Sequence, residues 1–296
     1  MTLSTTLLRS QLAFFKPFLN GCSIETVRAG QEKLGKLMAG RHRSKLCYAP
    51  VVFRRFLGEW IAPGNPSLDG VILYLHGGGY VAGDIDYARG FGSVLAAKNA
   101  VRVFCAAYRL APEHPFPAAL EDALTAYRYL LDIGYSGDRI LLCGESSGGG
   151  LIYALAMKLR ELGLPLPGGL IAVSPWSDLT ASGKSYQKNR EKDPTMLEAR
   201  LRYYAEHYTV EPENPLVSPL FGDLTGFPPS LLFVGGDEIM LDDAVQLHRK
   251  LTACGCRSKL TVAPDMWHGY VLYGVPEAKK DFEAIRRFLV ERLSGL

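Results

Sequence analysis

The chain has no apolar stretch long enough to cross a membrane, no CxxC pair, no internal repeat and no low-complexity tract. Without a run of about twenty apolar residues no transmembrane helix is expected. The opening "MTLSTTLLRSQLAFFKPFLNGC" also fails as a signal peptide. Its longest uninterrupted apolar run, Leu12 to Phe15, is ended by Lys16 and Pro17, and no small-residue cleavage pattern follows. It is expected to form an amphipathic helix seeking an apolar surface, its own protein's before a membrane's, with no stable membrane insertion.

The six cysteines stand at 22, 47, 105, 143, 254 and 256, and Cys105 and Cys143 fall inside apolar runs where cysteine packs as a small hydrophobe. Reduced thiols in a cytoplasmic setting are therefore expected. The "CGC" at 254–256 is set aside as a redox or metal pair, since two ligands alone do not make a site. A formal net charge of +3, spread along the chain, is too small to attract nucleic acid, so no DNA or RNA partner is expected. With 48% apolar and 21% charged residues over 296 positions, the chain can build a core that needs no disulfide or metal.

From residue 71 short apolar runs alternate with longer amphipathic ones. Strands are predicted over 71–76, 101–108, 139–144, 170–174, 230–236 and 258–263. Between them, Leu120, Leu124, Tyr127 and Leu131 share one helical face, and Phe282, Ile285, Leu289 and Leu293 share another. Strands buried on both faces and separated by helices imply a mostly parallel sheet with right-handed crossovers, an α/β fold. Two segments stand outside the alternation. Residues 1–45 are expected to be helical. Residues 178–215 carry a helix predicted to start with Asp193 as N-cap and Pro194 at the first position, presenting Leu197, Leu201, Tyr204 and Tyr208 on one face. Both are expected to cap a pocket at the strand carboxyl ends, over a catalytic domain of residues 46–177 and 216–296. The phosphate-loop look of "GQEKLGK" at 30–36 is set aside: no strand precedes it and Leu37 stands where a metal-binding Ser or Thr would be.

The chemistry lies in "GESSG" at 144–148, which follows the strand "RILLC" and precedes the helix "LIYALAMKLREL". Strand, sharp turn, serine and helix make a nucleophile elbow, whose small neighbours let strand and helix close on each other. Ser146 is the candidate nucleophile at a helix N-terminus, and Ser147 offers its backbone N–H to a developing oxyanion. A serine hydroxyl needs a base. His42, His114, His207 and His248 lie in a basic patch, a proline-rich loop and two helices, whereas His268 in "PDMWHGY" follows the last strand. With partners in the order serine, acid, histidine, His268 is the expected base. Of Asp237, Glu238, Asp242 and Asp243 after the preceding strand, Asp237 is expected to orient it, being directly at the strand end. Asp242 and Asp243 look like first-turn acids of the next helix. "HGGG" at 76–79 follows a strand and can bring backbone N–H groups close to a substrate, since no Cβ stands in the way.

Taken together, "HGGG", "YRLAPEHPFPAALED" (108–122), "GESSGG" (144–149), "SPWSDLT" (174–180), "GGDEIMLDD" (235–243) and "WHGY" (267–270) resemble the hormone-sensitive-lipase-like carboxylesterases, bacterial family IV of the α/β-hydrolases. The resemblance runs from about residue 70 to the C-terminus. It implies an α/β-hydrolase fold with a helical cap and hydrolysis of short- to medium-chain acyl esters through an acyl-enzyme, with no cofactor or metal. By position it gives the triad Ser146, Asp237 and His268 and the oxyanion donors Gly78, Gly79 and Ser147; spacing alone leaves open which glycines donate. The elbow departs from the commoner GDSAGG at Glu145 and Ser147. Tyr80, Trp267, Tyr203, Tyr204 and the Phe14–Phe15 pair are candidates to line the pocket, against the plainer expectation that such aromatics are core. The expected partner is a small-molecule ester, and a homodimer is compatible with the sequence. An amidase or arylformamidase on the same triad, or a ligand-binding receptor of the same fold that has lost turnover, are the competing expectations.

Overall fold

The computed structural model describes residues 1–294, with residues 19 and 20 in backbone only. Its centre is an eight-stranded sheet. The strands are β1 (Leu46–Val52), β2 (Leu57–Pro63), β3 (Val71–Leu75), β4 (Arg102–Ala107), β5 (Ile140–Glu145), β6 (Gly169–Val173), β7 (Ser230–Gly235) and β8 (Ser258–Ala263). Their order is β1-β2-β4-β3-β5-β6-β7-β8; β1 and β2 run antiparallel at one edge and the other six are parallel. All six predicted strands are present within a residue or so of their expected bounds. The β1–β2 hairpin is additional, and its half-exposed edge strand, with Pro50 inside, gives little periodic signal.

The helices are α1 (Leu3–Gly21), α2 (Ile24–Gly40), α3 (Ile85–Asn99), α4 (Ala118–Asp132), α5 (Ser147–Glu161), α6 (Ser185–Lys188), α7 (Glu198–Tyr208), α8 (Leu241–Ala253) and α9 (Lys279–Leu293). Alternation along β3 divides the core. Val71, Leu73 and Leu75 face the layer of α4, α5 and α8, while Ile72 and Tyr74 face that of α3 and α9. Phe282, Ile285, Leu289 and Leu293 are buried on α9 as the helical period predicts. The "GQEKLGK" segment lies within α2, where Gly35 serves packing: a Cβ there would sit 2.1 Å from Asp86 O of α3.

The segment 178–215 differs from expectation in its helix start. Asp193 does not cap α7, which begins at Glu198 after Leu197. Asp193 is buried, its Oδ1 accepts from the backbone N–H of Thr195 (2.8 Å) and Met196 (3.1 Å), and its Oδ2 accepts from Ile239 N (3.0 Å). The aspartate therefore closes a local turn and ties the segment to the loop after β7.

Candidate active site

The loops that follow β3, β5, β6, β7 and β8 converge at the strand carboxyl ends, where the order reverses between β4 and β5 on either side of β3. After β5, Ser146 sits at φ 54°, ψ −122°, the strained conformation of an elbow. Glycine makes the turn possible. A Cβ on Gly144 would lie 2.3 Å from Gly148 O, and one on Gly148 would lie 2.1 Å from Leu75 O. The helix thus packs directly on the backbone of β3 and β5, and Ser146 stands at its N-terminus, 8% exposed.

The loop after β3 is fixed from beneath by Glu145. This buried carboxyl accepts from Gly77 N (2.5 Å), Tyr87 Oη (3.1 Å) and Tyr74 Oη. Burial pushes its pKa up to about 7, against the opposing pull of these hydrogen bonds. His76 stacks on Tyr108 at 4.3 Å, and burial lowers its pKa to about 4, which keeps it neutral and structural. Gly78 and Gly79 have φ of 115° and 65°, and Tyr80 N donates to Ser147 Oγ at 3.3 Å. Among the described residues, the backbone N–H groups of Gly78, Gly79 and Ser147 donate to no protein acceptor.

The carboxylate that meets His268 is that of the residue after the expected one. His268 Nδ1 lies 2.7 Å from Glu238 Oε2, while Asp237, the residue expected there, turns its carboxylate to Arg9 at 2.8 Å. The reason is local backbone. Gly236 N and Asp237 N bond to Ala263 O and Met266 O, so through residue 237 the chain stays paired with the end of β8 and the loop after it. Only the next side chain, one methylene longer than aspartate, turns inward. Glu238 is fully buried and its Oε1 accepts from Gly235 N (2.6 Å) and Ser174 Oγ (2.9 Å). Ser174, whose own Oγ accepts from Gly269 N at 3.0 Å, joins the acid to the histidine loop. Its neighbour Val173 accepts from Ser146 N at 2.9 Å, so serine and imidazole loops flank one strand end. Burial pulls the His268 pKa down, but the hydrogen bond and charge of Glu238 outweigh it and hold the imidazole above its ordinary 6.5. Of the other histidines, His207 and His248 meet a carbonyl and a hydroxyl, and among the described residues only His268 lies within ion-pair distance of a carboxylate.

The pocket candidates separate. Trp267 is fully buried in the α3–α9 layer, its ring packed edge-on against Tyr273. Tyr204 packs on the glycine loop after β3, its ring 2.5 Å from where a Gly79 Cβ would be. Tyr80 is buried and stacked on Tyr208 at 3.9 Å. Tyr203 is exposed on α7, and Phe14 and Phe15 project outward from α1, 79% and 52% exposed. Glu238 and Ser174 had signals in the sequence, one as a neighbouring acid and one within "SPWSD". Arg9 had none.

A family model described as alpha/beta hydrolase fold matches residues 72–272. The chain belongs to that family. It is 39% identical over 236 residues to an acetyl-hydrolase of Streptomyces hygroscopicus, a match spanning 78% of each chain. The crystal structure of EstE5 soaked with p-nitrophenyl butyrate superposes with a TM-score of 0.91 at 33% identity, covering 100% of both chains. An esterase from the bacterial hormone-sensitive lipase family superposes at 0.88 and 36% identity, covering 96% of this chain and 97% of its own. This α/β-hydrolase is accordingly a carboxylic ester hydrolase of the hormone-sensitive-lipase-like group. No helix among its described residues is long and apolar enough to cross a membrane.

Proposed function

We propose that the protein is a serine carboxylesterase acting on short- to medium-chain acyl esters through an acyl-enzyme, with Ser146 as nucleophile, His268 as base and Glu238 as the orienting acid. The observation that carries this reading is His268 Nδ1 held 2.7 Å from the buried Glu238 carboxylate, with the strained Ser146 elbow and the His268 loop both tied to the end of β6 through Val173 and Ser174. Nδ1–H donates to Glu238, which leaves Nε2 as the proton acceptor for the serine hydroxyl. Ser146 attacks the acyl carbon as His268 takes its proton. The oxyanion is received by the N–H groups of Gly78, Gly79 and Ser147, which have no acceptor among the described residues to give up. His268 then protonates the departing alcohol, and water repeats the sequence on the acyl-enzyme.

The helix pair α1–α2 and the segment 178–215 act as the cap. Arg28 of α2 donates to Val81 O and Ala111 O, and Tyr204 of α7 presses on Gly79. A ring so close to the oxyanion loop leaves limited room on that side, which favours small acyl groups, in keeping with the acetyl-hydrolase relative. The test is turnover of p-nitrophenyl acetate, butyrate and longer esters by the wild type and by Ser146→Ala. The substitution should lower kcat on the order of 10⁶-fold. Retained turnover in Ser146→Ala refutes the assignment.

A further inference from the structure

Among the described residues of α1, Arg9 is the one whose side chain hydrogen-bonds to the loops that carry Glu238 and His268, and it bonds to both. Its Nη1 donates to Asp265 O at 2.5 Å; its Nη2 donates to Asp237 Oδ2 at 2.8 Å and to Lys192 O at 2.7 Å. Asp237 immediately precedes Glu238, and Asp265 stands three residues before His268. The two loops are already stitched by Gly236 N to Ala263 O (2.8 Å) and Asp237 N to Met266 O (3.0 Å), and Asp265 holds φ at 60°. Lys192, the third anchor, belongs to the segment 178–215. That segment grips the acid loop independently: Asn189 Nδ2 donates to Gly236 O (3.1 Å) and Glu238 O (3.0 Å), and Asp193 accepts from Ile239 N. Lys16, two helical turns along α1 from Arg9, donates to Arg190 O and Asp193 O at 2.8 and 2.7 Å.

We infer that Arg9 is a positioning residue, a latch through which the seating of α1 sets the alignment of Glu238 with His268. The inference rests on the triad proposed above. A single guanidinium joins three segments that are distant in sequence, and its planar fork suits this, since acceptors in different directions can be met by one rigid group. The ion pair itself is partly exposed, with side-chain exposures of 20% and 19%. Such a pair adds little to global stability. Its effect therefore lies in geometry, where a small displacement of a base or its orienting acid is felt strongly in the rate.

The test compares full-length wild type, Arg9→Ala, Arg9→Lys, Asp237→Asn and the double variant Arg9→Ala/Asp237→Asn. The substrate is p-nitrophenyl acetate, too small to depend on the cap for binding, with p-nitrophenyl hexanoate in parallel. Arg9→Ala is expected to lower kcat on the acetate about 10- to 100-fold with KM changed less than about threefold. Arg9→Lys should recover part of this, because an ammonium can meet the carboxylate but cannot span all three acceptors. Asp237→Asn should lower kcat by a smaller factor, and the double variant should be no slower than Arg9→Ala alone, since both break one link.

A kcat on acetate within twofold of wild type in Arg9→Ala, with changes confined to KM for hexanoate or to thermal stability, overturns the latch. Should Arg9→Ala not fold, an unchanged kcat in Asp237→Asn and Arg9→Lys overturns it equally. Ser146→Ala in the same assay separates the two readings: if it is inactive and Arg9→Ala is normal, only the latch fails; if it stays active, the triad fails first.

Discussion

Glu238→Gln tests which of two adjacent acids serves His268, and the amide can be seated in two ways whose costs differ. With its carbonyl towards Gly235 N and Ser174 Oγ, it keeps both of those bonds and presents –NH2 to His268 Nδ1. The imidazole must then carry its proton on Nε2, the atom that should accept from Ser146. Turned the other way, –NH2 meets the Gly235 N–H, a donor that cannot rotate, and a buried N–H left unpaired costs about 1–3 kcal/mol. The first seating is therefore favoured, with the fold kept and the tautomer wrong. A triad acid replaced by its amide slows turnover on the order of 10⁴-fold, about 5 kcal/mol of transition-state stabilisation. The assay is kcat/KM on p-nitrophenyl acetate beside a thermal melt, with Asp237→Asn as comparison. Glu238→Gln within tenfold of wild type, together with a 10⁴-fold loss in Asp237→Asn, would refute the reasoning and restore Asp237 as the acid.

Because His268 must be neutral to accept a proton and its pKa is raised, the acid limb of the kcat/KM profile should have its midpoint above pH 6.5; a flat profile from pH 5 to 8 removes His268 as the base. The same raised value means that the His268–Glu238 pair contributes its full stability below pH 6.5 and loses it as pH rises through the folded-state pKa, so a pH series of denaturant midpoints should fall across that range. Gly148→Ala should destabilise by about 1–3 kcal/mol or more, since its Cβ would meet the backbone oxygens of Leu75 and His76 at 2.1 and 2.4 Å, while Gly30→Ala on α2, where nothing lies within 4 Å, should stabilise by about 0.5–1 kcal/mol; urea midpoints compare the two. Glu145→Ala strips the acceptor from Gly77 N, Tyr74 and Tyr87 and should lower both stability and kcat, and wild-type kcat would show that the oxyanion loop does not depend on that anchor.

Much of this molecule was readable before its structure, and the limits of that reading have physical causes. The buried parallel strands announce themselves by composition, because a strand covered on both faces has no place for charge. The elbow and the glycine loop are legible because steric demands there exclude other residues: the short contacts that a Cβ on Gly144, Gly148 or Gly79 would make explain why those positions are glycine. The choice between Asp237 and Glu238 was not legible. Both follow the strand, and which one turns inward depends on whether the backbone leaves β8 one residue earlier or later, a matter of hydrogen bonds to Ala263 and Met266 that sequence spacing does not encode. The start of α7 was misread for a related reason, since Asp193 followed by proline has the look of a cap while its side chain serves a turn and Ile239 instead. Arg9 lies in a segment without motif, and its partners are two backbone carbonyls and one carboxylate more than 180 residues away.

Backbone strain in the chain is concentrated where the chemistry is. Six non-glycine residues among those described have positive φ; all but Ala100 lie in loops that follow β3, β5, β6 and β8, and four of these, Tyr80, Ser146, Ser174 and Asp265, stand on or within three residues of Gly79, Ser146, Glu238's partner Ser174 and His268. Each such conformation costs of the order of 1–3 kcal/mol and persists only when neighbours over-determine it. That is the case at every one. Ser146 N donates to Val173 O while its carbonyl accepts from Gly150 N and Trp176 N; Ser174 N donates to Phe233 O; Tyr80 is held between Ser147 Oγ and Ala111 N; and Asp265 O is held by Arg9. Three of these four pins come from the sheet, the elbow and the loop after β4, within the core of the fold. The fourth comes from α1, outside the sheet. Of these four residues Asp265 is the one whose carbonyl is held from α1, while the loop around it is also joined to the acid loop by Asp237 N to Met266 O and to Ser174 Oγ by Gly269 N, so α1 adds a further hold at the place where the proposed latch would act.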